Sequence, residues 1–229
     1  MSSRVLAGSN RATAVIIPVK GENPKGRLSP LLDPTQRRQL QVAMLEDTLQ
    51  TLIKARMIGH SFIVSSDAQV LEFVKRFGAN SISEPRDAGV NSAVRRGLEA
   101  TTSYERRLVI PADLPLLGVE DLKAGPMLAR EGADVVISPS ETFDGTNMLL
   151  LPTHEVFTLH YDDDSFRKHV ATANKLRLQV AVYYSRGVGF DIDRPSDLHR
   201  FFKFRRRGST LTLLGRTLRK AERARPPRR

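Results

Sequence analysis

The amino-acid sequence predicts an α/β fold built on a mostly parallel sheet. Three observations carry that prediction. Short apolar, β-branched runs of strand length recur along the chain. Between them lie segments whose apolar residues repeat with helical spacing. Several stretches rich in polar chemistry follow the apolar runs, where the carboxyl ends of parallel strands gather ligand-binding groups.

Taken in order, Thr13–Val19 (TAVIIPV) is a predicted buried strand, and the loop Lys20-Gly-Glu-Asn-Pro-Lys-Gly-Arg27 follows it. From Thr35 to about Met57, Leu45, Leu49, Leu52, Ile53 and Met57 repeat as one helix face. Phe62–Val64 is a second strand ending at Ser65-Ser66-Asp67, and Asp67 suits the cap of a helix to about Phe77. Leu108–Ile110 is another strand, ending at Pro111-Ala112-Asp113. Asp134–Ser138 and Met148–Leu151 are two more. A helix is predicted from about Asp164 to Lys175, a strand at Leu178–Tyr183, and a last helix opened by Pro195, which suits a first helical position.

A chain of 229 residues can bury a substantial core without covalent staples, and one domain is the default. The absence of cysteine excludes a disulfide scaffold, a thiolate metal site and a cysteine nucleophile. The longest apolar runs, such as Ala14–Ile17 and Met148–Leu151, are too short to span a bilayer. No apolar signal core follows Arg4. The expectation is a soluble cytoplasmic protein with no membrane span.

The net charge of +11 is unevenly spread. Residues 203–229 hold 11 basic side chains against one acid, Glu222, which leaves a body of +1 over residues 1–202. The division expected is therefore a domain at 1–202 and a basic C-terminal tail at 203–229. Within the tail, Leu211, Leu214, Leu218 and Ala221 share one face of a helix. The plain expectation is a solvated segment that frays or packs loosely; RNA, an anionic membrane surface or a partner are the other readings. Aromatic residues make up 6% of the chain and tryptophan is absent, so base-stacking platforms are scarce and nucleic acid is a poor fit.

Three stretches suit chemistry. Lys20, Lys25 and Arg27, with Gly21 and Gly26, form a basic loop after a strand whose backbone N–H groups can approach a polyphosphate; a solvated basic loop is the plainer reading. The Walker ending is missing. Asp113, flanked by Pro111 and Pro115, suits a magnesium ligand at a strand end, or a cap on the next turn. Asp191 and Asp193 sit at i and i+2, so on an extended segment their carboxylates point the same way and call for a cation between them; a capped helix start before Pro195 is the alternative. The five histidines show no ligand spacing, and Asp162-Asp163-Asp164-Ser165 lacks the glycine and distal glutamate of a calcium loop.

Seven stretches stand in series along the chain: PVK…KGRLSPLL, VSSD, GVNSAVRRG, IPADLPLL, DVVISPS…GTNMLLL, YDDDSFRKH and GFDIDRPSDL. In this series, from about Val15 to Phe202, the chain resembles the guanylyltransferases that make the phospho-acid precursor of coenzyme factor 420, a deazaflavin. The resemblance implies a single-domain, Rossmann-like nucleotidyltransferase fold. It implies transfer of GMP from GTP to a small phosphorylated carboxylic acid, with magnesium and release of pyrophosphate. Carried over residue by residue, Lys20, Lys25 and Arg27 hold the triphosphate, and Lys25, Arg27 and Asp113 act in catalysis. Gly89 and Asn91 line the guanine and ribose. Asp113, Asp191 and Asp193 bind magnesium, and Thr146 and Ser165 contact the acceptor acid.

Where the family has Tyr-Gly-x-x-Ser-Phe, this chain has Tyr161-Asp162-Asp163-Asp164-Ser165-Phe166. Among 2-phospho-L-lactate, phosphoenolpyruvate and 3-phospho-D-glycerate, the departure favours the last, whose hydroxyl Asp162 can accept. A sugar phosphate or the molybdenum cofactor are alternative acceptors, although the G-G-x-S-x-R-M opening of the latter's enzymes is absent. The sequence leaves the oligomeric state open, a homodimer included.

Overall fold

The computed structural model describes residues 13–204 and 206–223, with side chains through Thr217. The expectations for residues 1–12, and for the Leu218 and Ala221 end of the tail's apolar face, lie outside those described residues or side chains.

The strands are β1 (Thr13–Pro18), β2 (Ser61–Ser65), β3 (Asn80–Ser83), β4 (Arg106–Val109), β5 (Val135–Pro139), β6 (Thr146–Pro152) and β7 (Val180–Val182). The helices are α1 (Pro34–Lys54), α2 (Ala68–Lys75), α3 (Val90–Ala100), α4 (Val119–Arg130), α5 (Ser165–Lys175), α6 (Arg186–Gly189), α7 (Pro195–Lys203) and α8 (Ser209–Arg223). The strands form one sheet in the order β3-β2-β1-β4-β6-β5-β7. Every neighbouring pair is parallel except those made by β6, which runs antiparallel to both β4 and β5. The sheet is thus mostly parallel, as the alternation of patterns predicts.

The central strands are apolar without a break because helices cover both faces. Val15 and Ile17 of β1, Leu108 of β4 and Leu150 of β6 pack with Leu45, Leu49 and Leu52 of α1 and Leu122 of α4. The alternate residues Ile16, Val109 and Leu149 face α3 and α5 through Val94 and Ala173. On that second side Gly97 lets α3 lie close to β1, since a Cβ there would come within 2.4 Å of Ile16 Cγ2. Asp67 caps α2 and Pro195 opens α7, as the sequence suggests.

Four elements are not evident in the sequence pattern. β3 is a four-residue edge strand, Asn-Ser-Ile-Ser, with little apolar signal. α3 begins inside the GVN stretch after a left-handed Gly89 (φ 86°). α4 carries Pro126 in its interior, which masks its helical pattern. α6 is a single turn.

A third apolar cluster sits at one end of the sheet. Leu28, Leu40, Met44, Leu116, Phe190, Ile192, Leu198, Phe201 and Leu214 build it. Here the structure departs from a loosely packed tail. The position Phe202 falls inside α7, and α8 docks on α1. Both carboxylate oxygens of Asp47 accept from the first amides of α8, Ser209 N at 2.6 Å and Thr210 N at 3.0 Å. The Arg206 guanidinium donates to the carbonyls of Leu116 (2.8 Å) and Leu117 (2.6 Å). Leu214 is 2% exposed. The first part of the basic segment therefore completes the core, because α7 ends with Phe201 and Phe202 packed in a cluster that α8 closes.

Leu214→Ala is expected to destabilise the fold by about 2–4 kcal/mol, read as a lower urea midpoint at unchanged slope; a midpoint like wild type would mean that α8 does not pack.

Candidate active site

β1 and β4 are neighbours in the sheet, so the loops at their carboxyl ends lie side by side. Lys25 follows β1 and Asp113 follows β4. The Lys25 ammonium donates to Asp113 Oδ2 at 2.5 Å and to Asp193 Oδ1 at 2.7 Å. Arg27 Nη1 reaches Asp193 Oδ2 at 3.4 Å. Carboxylate oxygens of Asp113, Asp191 and Asp193 lie within 4.8 Å of one another. Ile192 between the two aspartates is fully buried in the third cluster, so the flanking carboxylates turn together toward Asp113. A backbone bond from Ile192 N to Asp113 O ties the two segments.

Both alternative capping roles fall away. The helix that starts at Pro195 is capped by Asp197, whose Oδ2 accepts from Asp193 N and Arg194 N. Asp193 keeps its carboxylate for Lys25 and Arg27. Asp113 Oδ2 takes Lys25, while its buried Oδ1 has no hydrogen-bond partner among the described residues. One expectation needs correcting: Asp191 and Asp193 follow the short helix α6, not a strand directly.

The electrostatics are those of a crowded acidic cluster around one ammonium. Burial disfavours a charged Lys25, but the adjacent Asp113 and Asp193 outweigh it and push the lysine pKa up. Burial raises the Asp191 carboxyl to about 7, helped by repulsion from Asp113 and Asp193. Burial acts the same way on Asp193, yet Lys25 and then Arg27 overcome it and hold that carboxyl below its ordinary value.

The donor set fits a small divalent cation. Three carboxylates with hard oxygen ligands suit magnesium-like chemistry, and an octahedral ion with bonds of about 2.1 Å spaces its ligand oxygens roughly 3–4 Å apart. The orphaned Asp113 Oδ1 is the kind of buried acceptor that a cation satisfies.

Two cavities meet at this cluster. One, of about 510 Å³, is lined by Lys20, Lys25, Gly26, Arg27, Asp113 and Asp193 among others. The second, of about 520 Å³, is lined by Thr146, Asp162, Ser165, Asp191 and again Arg27, Asp113 and Asp193. The structure thus brings together nine of the eleven residues that the sequence singles out. Gly89 and Asn91 do not line either cavity, though Val90 between them lines both. Asn91 Oδ1 instead accepts from Tyr161 N at 2.8 Å and braces the loop over the second cavity. Asp162 is half-exposed and paired with Lys168 at 2.9 Å.

Sequence reasoning misses His169, because its spacing from other histidines suggests no metal. It is fully buried beside Thr146 and Ser165, with Nδ1 at 2.9 Å from Thr146 Oγ1 and Nε2 accepting from His160 N at 2.9 Å. The signal available was the i, i+4 spacing of Ser165 and His169 on one helix face.

This sheet order, with the acidic trio at the strand ends and two adjoining cavities, suits a nucleotidyltransferase. The chain superimposes on a protein from Desulfovibrio desulfuricans G20 assigned as a nucleotide-diphospho-sugar transferase, with a TM-score of 0.71 at 18% identity, covering 91% of this chain and 97% of that one. That likeness is one of fold. The family model described as "Guanylyl transferase CofC like" matches residues 13–212, and the chain belongs to that family. It is 35% identical over 190 residues to the 2-phospho-L-lactate guanylyltransferase of Methanocaldococcus vulcanius, covering 82% of this chain and 83% of the relative. It is 32% identical over 187 residues to the phosphoenolpyruvate guanylyltransferase of Thermobaculum terrenum, covering 81% and 80%. The protein is therefore an enzyme of the nucleotidyltransferase class. Among the described residues, no helix is long and apolar enough to cross a membrane.

His169 also sets a pH dependence of stability. Burial, and then the neighbouring His160, lower its pKa from 6.5 to about 4, while Asp162 opposes them. Below pH 6.5 the unfolded chain takes up a proton that the folded imidazole refuses. The contribution is fully present above pH 6.5 and is lost as the pH falls toward 4, about 3 kcal/mol in all. Urea unfolding across this range should show that acid limb in the wild type and a shallower one in His169→Asn; equal limbs would contradict a neutral buried imidazole.

Proposed function

We propose that the enzyme transfers GMP from GTP to a three-carbon phosphorylated acid and releases pyrophosphate, in the synthesis of coenzyme factor 420. The observation that carries the reading is the meeting of two cavities at Arg27, Asp113 and Asp193. A reaction that joins a nucleotide to a second phosphorylated molecule needs two such spaces opening on one phosphate-neutralising centre. The relatives named above are guanylyltransferases of 2-phospho-L-lactate and of phosphoenolpyruvate, which supports both the guanylyl group and the acid class.

Lys20, Lys25 and Arg27 bind the triphosphate in the basic cavity. The acid lies in the second cavity against Thr146, Asp162 and Ser165. An oxygen of the acid's phosphate attacks the α-phosphorus in line, and the bond to the bridging oxygen of pyrophosphate breaks. The transfer needs no covalent enzyme intermediate, so positioning and charge neutralisation carry the rate. Asp113, Asp191 and Asp193 would hold magnesium, which would supply Lewis-acid neutralisation of the phosphate oxygens. Lys25 and Arg27 are placed to stabilise charge on the leaving pyrophosphate. For Gly89 and Asn91, which line neither cavity, a role at guanine and ribose rests on the family resemblance alone.

Within the acid class, Asp162 is the residue that distinguishes this chain. Its Oδ1 is taken by Lys168, and the residue lines the second cavity, where its carboxylate can accept from a hydroxyl of the acid. That arrangement supports 3-phospho-D-glycerate.

A pyrophosphate-release assay with GTP and each of the three acids tests the reading. Release with at least one acid is expected, fastest with 3-phospho-D-glycerate; a faster rate with either other acid would overturn the choice of acceptor, and none with any acid would overturn the function. Asp113→Asn should lower kcat at least about a hundredfold in folded protein. Chelation should abolish turnover and added magnesium should restore it, whereas activity that survives chelation would contradict the metal role.

A further inference from the structure

The second cavity is floored by a hydrogen-bond chain that reaches a residue outside it. Thr146 opens β6, and Ser165 and His169 stand one turn apart on α5. All three are nearly inaccessible, at 6%, 3% and 0% exposure. The chain has a direction that can be read from one end. The His160 backbone N–H is a donor and cannot accept, so His169 Nε2 must be the unprotonated nitrogen. In a neutral imidazole the proton then sits on Nδ1, and Nδ1–H donates to Thr146 Oγ1. Ser165 Oγ donates to the same oxygen at 3.2 Å.

A hydroxyl oxygen accepts at most two hydrogen bonds and donates one. Thr146 Oγ1 already accepts two. Its own proton has no acceptor among the described residues, and Thr146 lines the cavity.

The geometry points to His169 as a positioning residue that makes Thr146 an obligate hydrogen-bond donor to an anionic oxygen, carboxylate or phosphate, of the acceptor acid. His169 never touches that acid. Its burial among Phe157, Tyr161 and the His160 ring keeps it neutral, so the tautomer is set by the backbone and not by pH near neutrality. A donor fixed before binding costs no reorientation when the anion arrives, and it binds an anionic oxygen more strongly than a neutral one. The inference rests on the acceptor site proposed above.

The test compares two substitutions that each keep half of the imidazole. His169→Asn retains a donor at the Nδ1 position. His169→Gln retains an acceptor near the Nε2 position and loses the Nδ1 donor. In His169→Gln the KM for the acid should rise about tenfold, with the KM for GTP unchanged. His169→Asn should stay within about twofold of wild type. Thr146→Val should raise the same KM, and adding His169→Gln to it should change little, since the two act as one unit. Nitrogen chemical shifts of the labelled imidazole should report the Nδ1–H tautomer. Equal defects in the two histidine variants, a parallel rise in the KM for GTP, a full additional tenfold on top of Thr146→Val, or an Nε2–H tautomer would each overturn the inference. If wild-type protein turns over none of the acids, the functional reading falls and this inference falls with it. A normal wild type with any of those four results sinks the inference alone.

Discussion

The carboxyl edge of the sheet depends on the placement of one ammonium. Three aspartates from two distant segments meet there, and without a cation their mutual repulsion would drive them apart. Lys25 bridges two of them from a left-handed backbone position (φ 55°) just ahead of a short 3-10 turn. A non-glycine residue in that region costs roughly 1–2 kcal/mol. Two short charge-assisted bonds offset this cost, and Leu28, fully buried three residues on, anchors the turn. The third aspartate, Asp191, has no such bond, and burial, then repulsion from Asp113 and Asp193, push its carboxyl pKa up. Three carboxylates thus face two fixed cations, Lys25 and Arg27, an acidic excess that a divalent cation can neutralise beside a triphosphate.

The core is arranged so that this edge stays rigid. Alternation along β1, β4 and β6 divides their side chains between two faces, and each face is filled by its own helices. The third cluster lies directly under the site and is assembled from α1, α7, α8 and the segment around Ile192. Ile192 is the link between packing and chemistry. Burying it aims its two neighbours at Asp113, so the apolar cluster positions the carboxylates. The same logic explains why the basic segment after α7 is structural at its start. Its helix closes the cluster that holds Ile192, and Asp47 supplies the acceptor for its first amides.

Much of the fold was legible because the strongest patterns belong to the central elements. The apolar runs that became β1, β4, β5 and β6 are buried on both sides, and a buried strand carries an unambiguous signal. The misses, β3, α3, α4 and α6, lie where that signal is diluted by an edge position, by internal glycine or proline, or by shortness. The antiparallel course of β6 was not readable either, since an apolar run has no direction. For the site, residues that follow strands or sit in paired spacing were visible. His169 was not, because the i, i+4 spacing with Ser165 is weak by itself and gains meaning only when β6 brings Thr146 beside the helix.

Sequence by itself determined the α/β class, the two-faced central strands, the helix starts at Asp67 and Pro195, and the residue types that suit a phosphate-neutralising centre. It left open whether Lys25, Asp113, Asp191 and Asp193 were solvated charges and caps or one cluster. Only the tertiary structure decided this. Proximity between residues 25, 113 and 193 arises from the side-by-side order of β1 and β4 and from the burial of Ile192, and neither is a local property of the chain. The basic tail shows the converse. Its charge was plain in the sequence, but the packing of Leu214 and the capping of α8 by Asp47 depend on a surface that exists only after α1 and α7 have folded together.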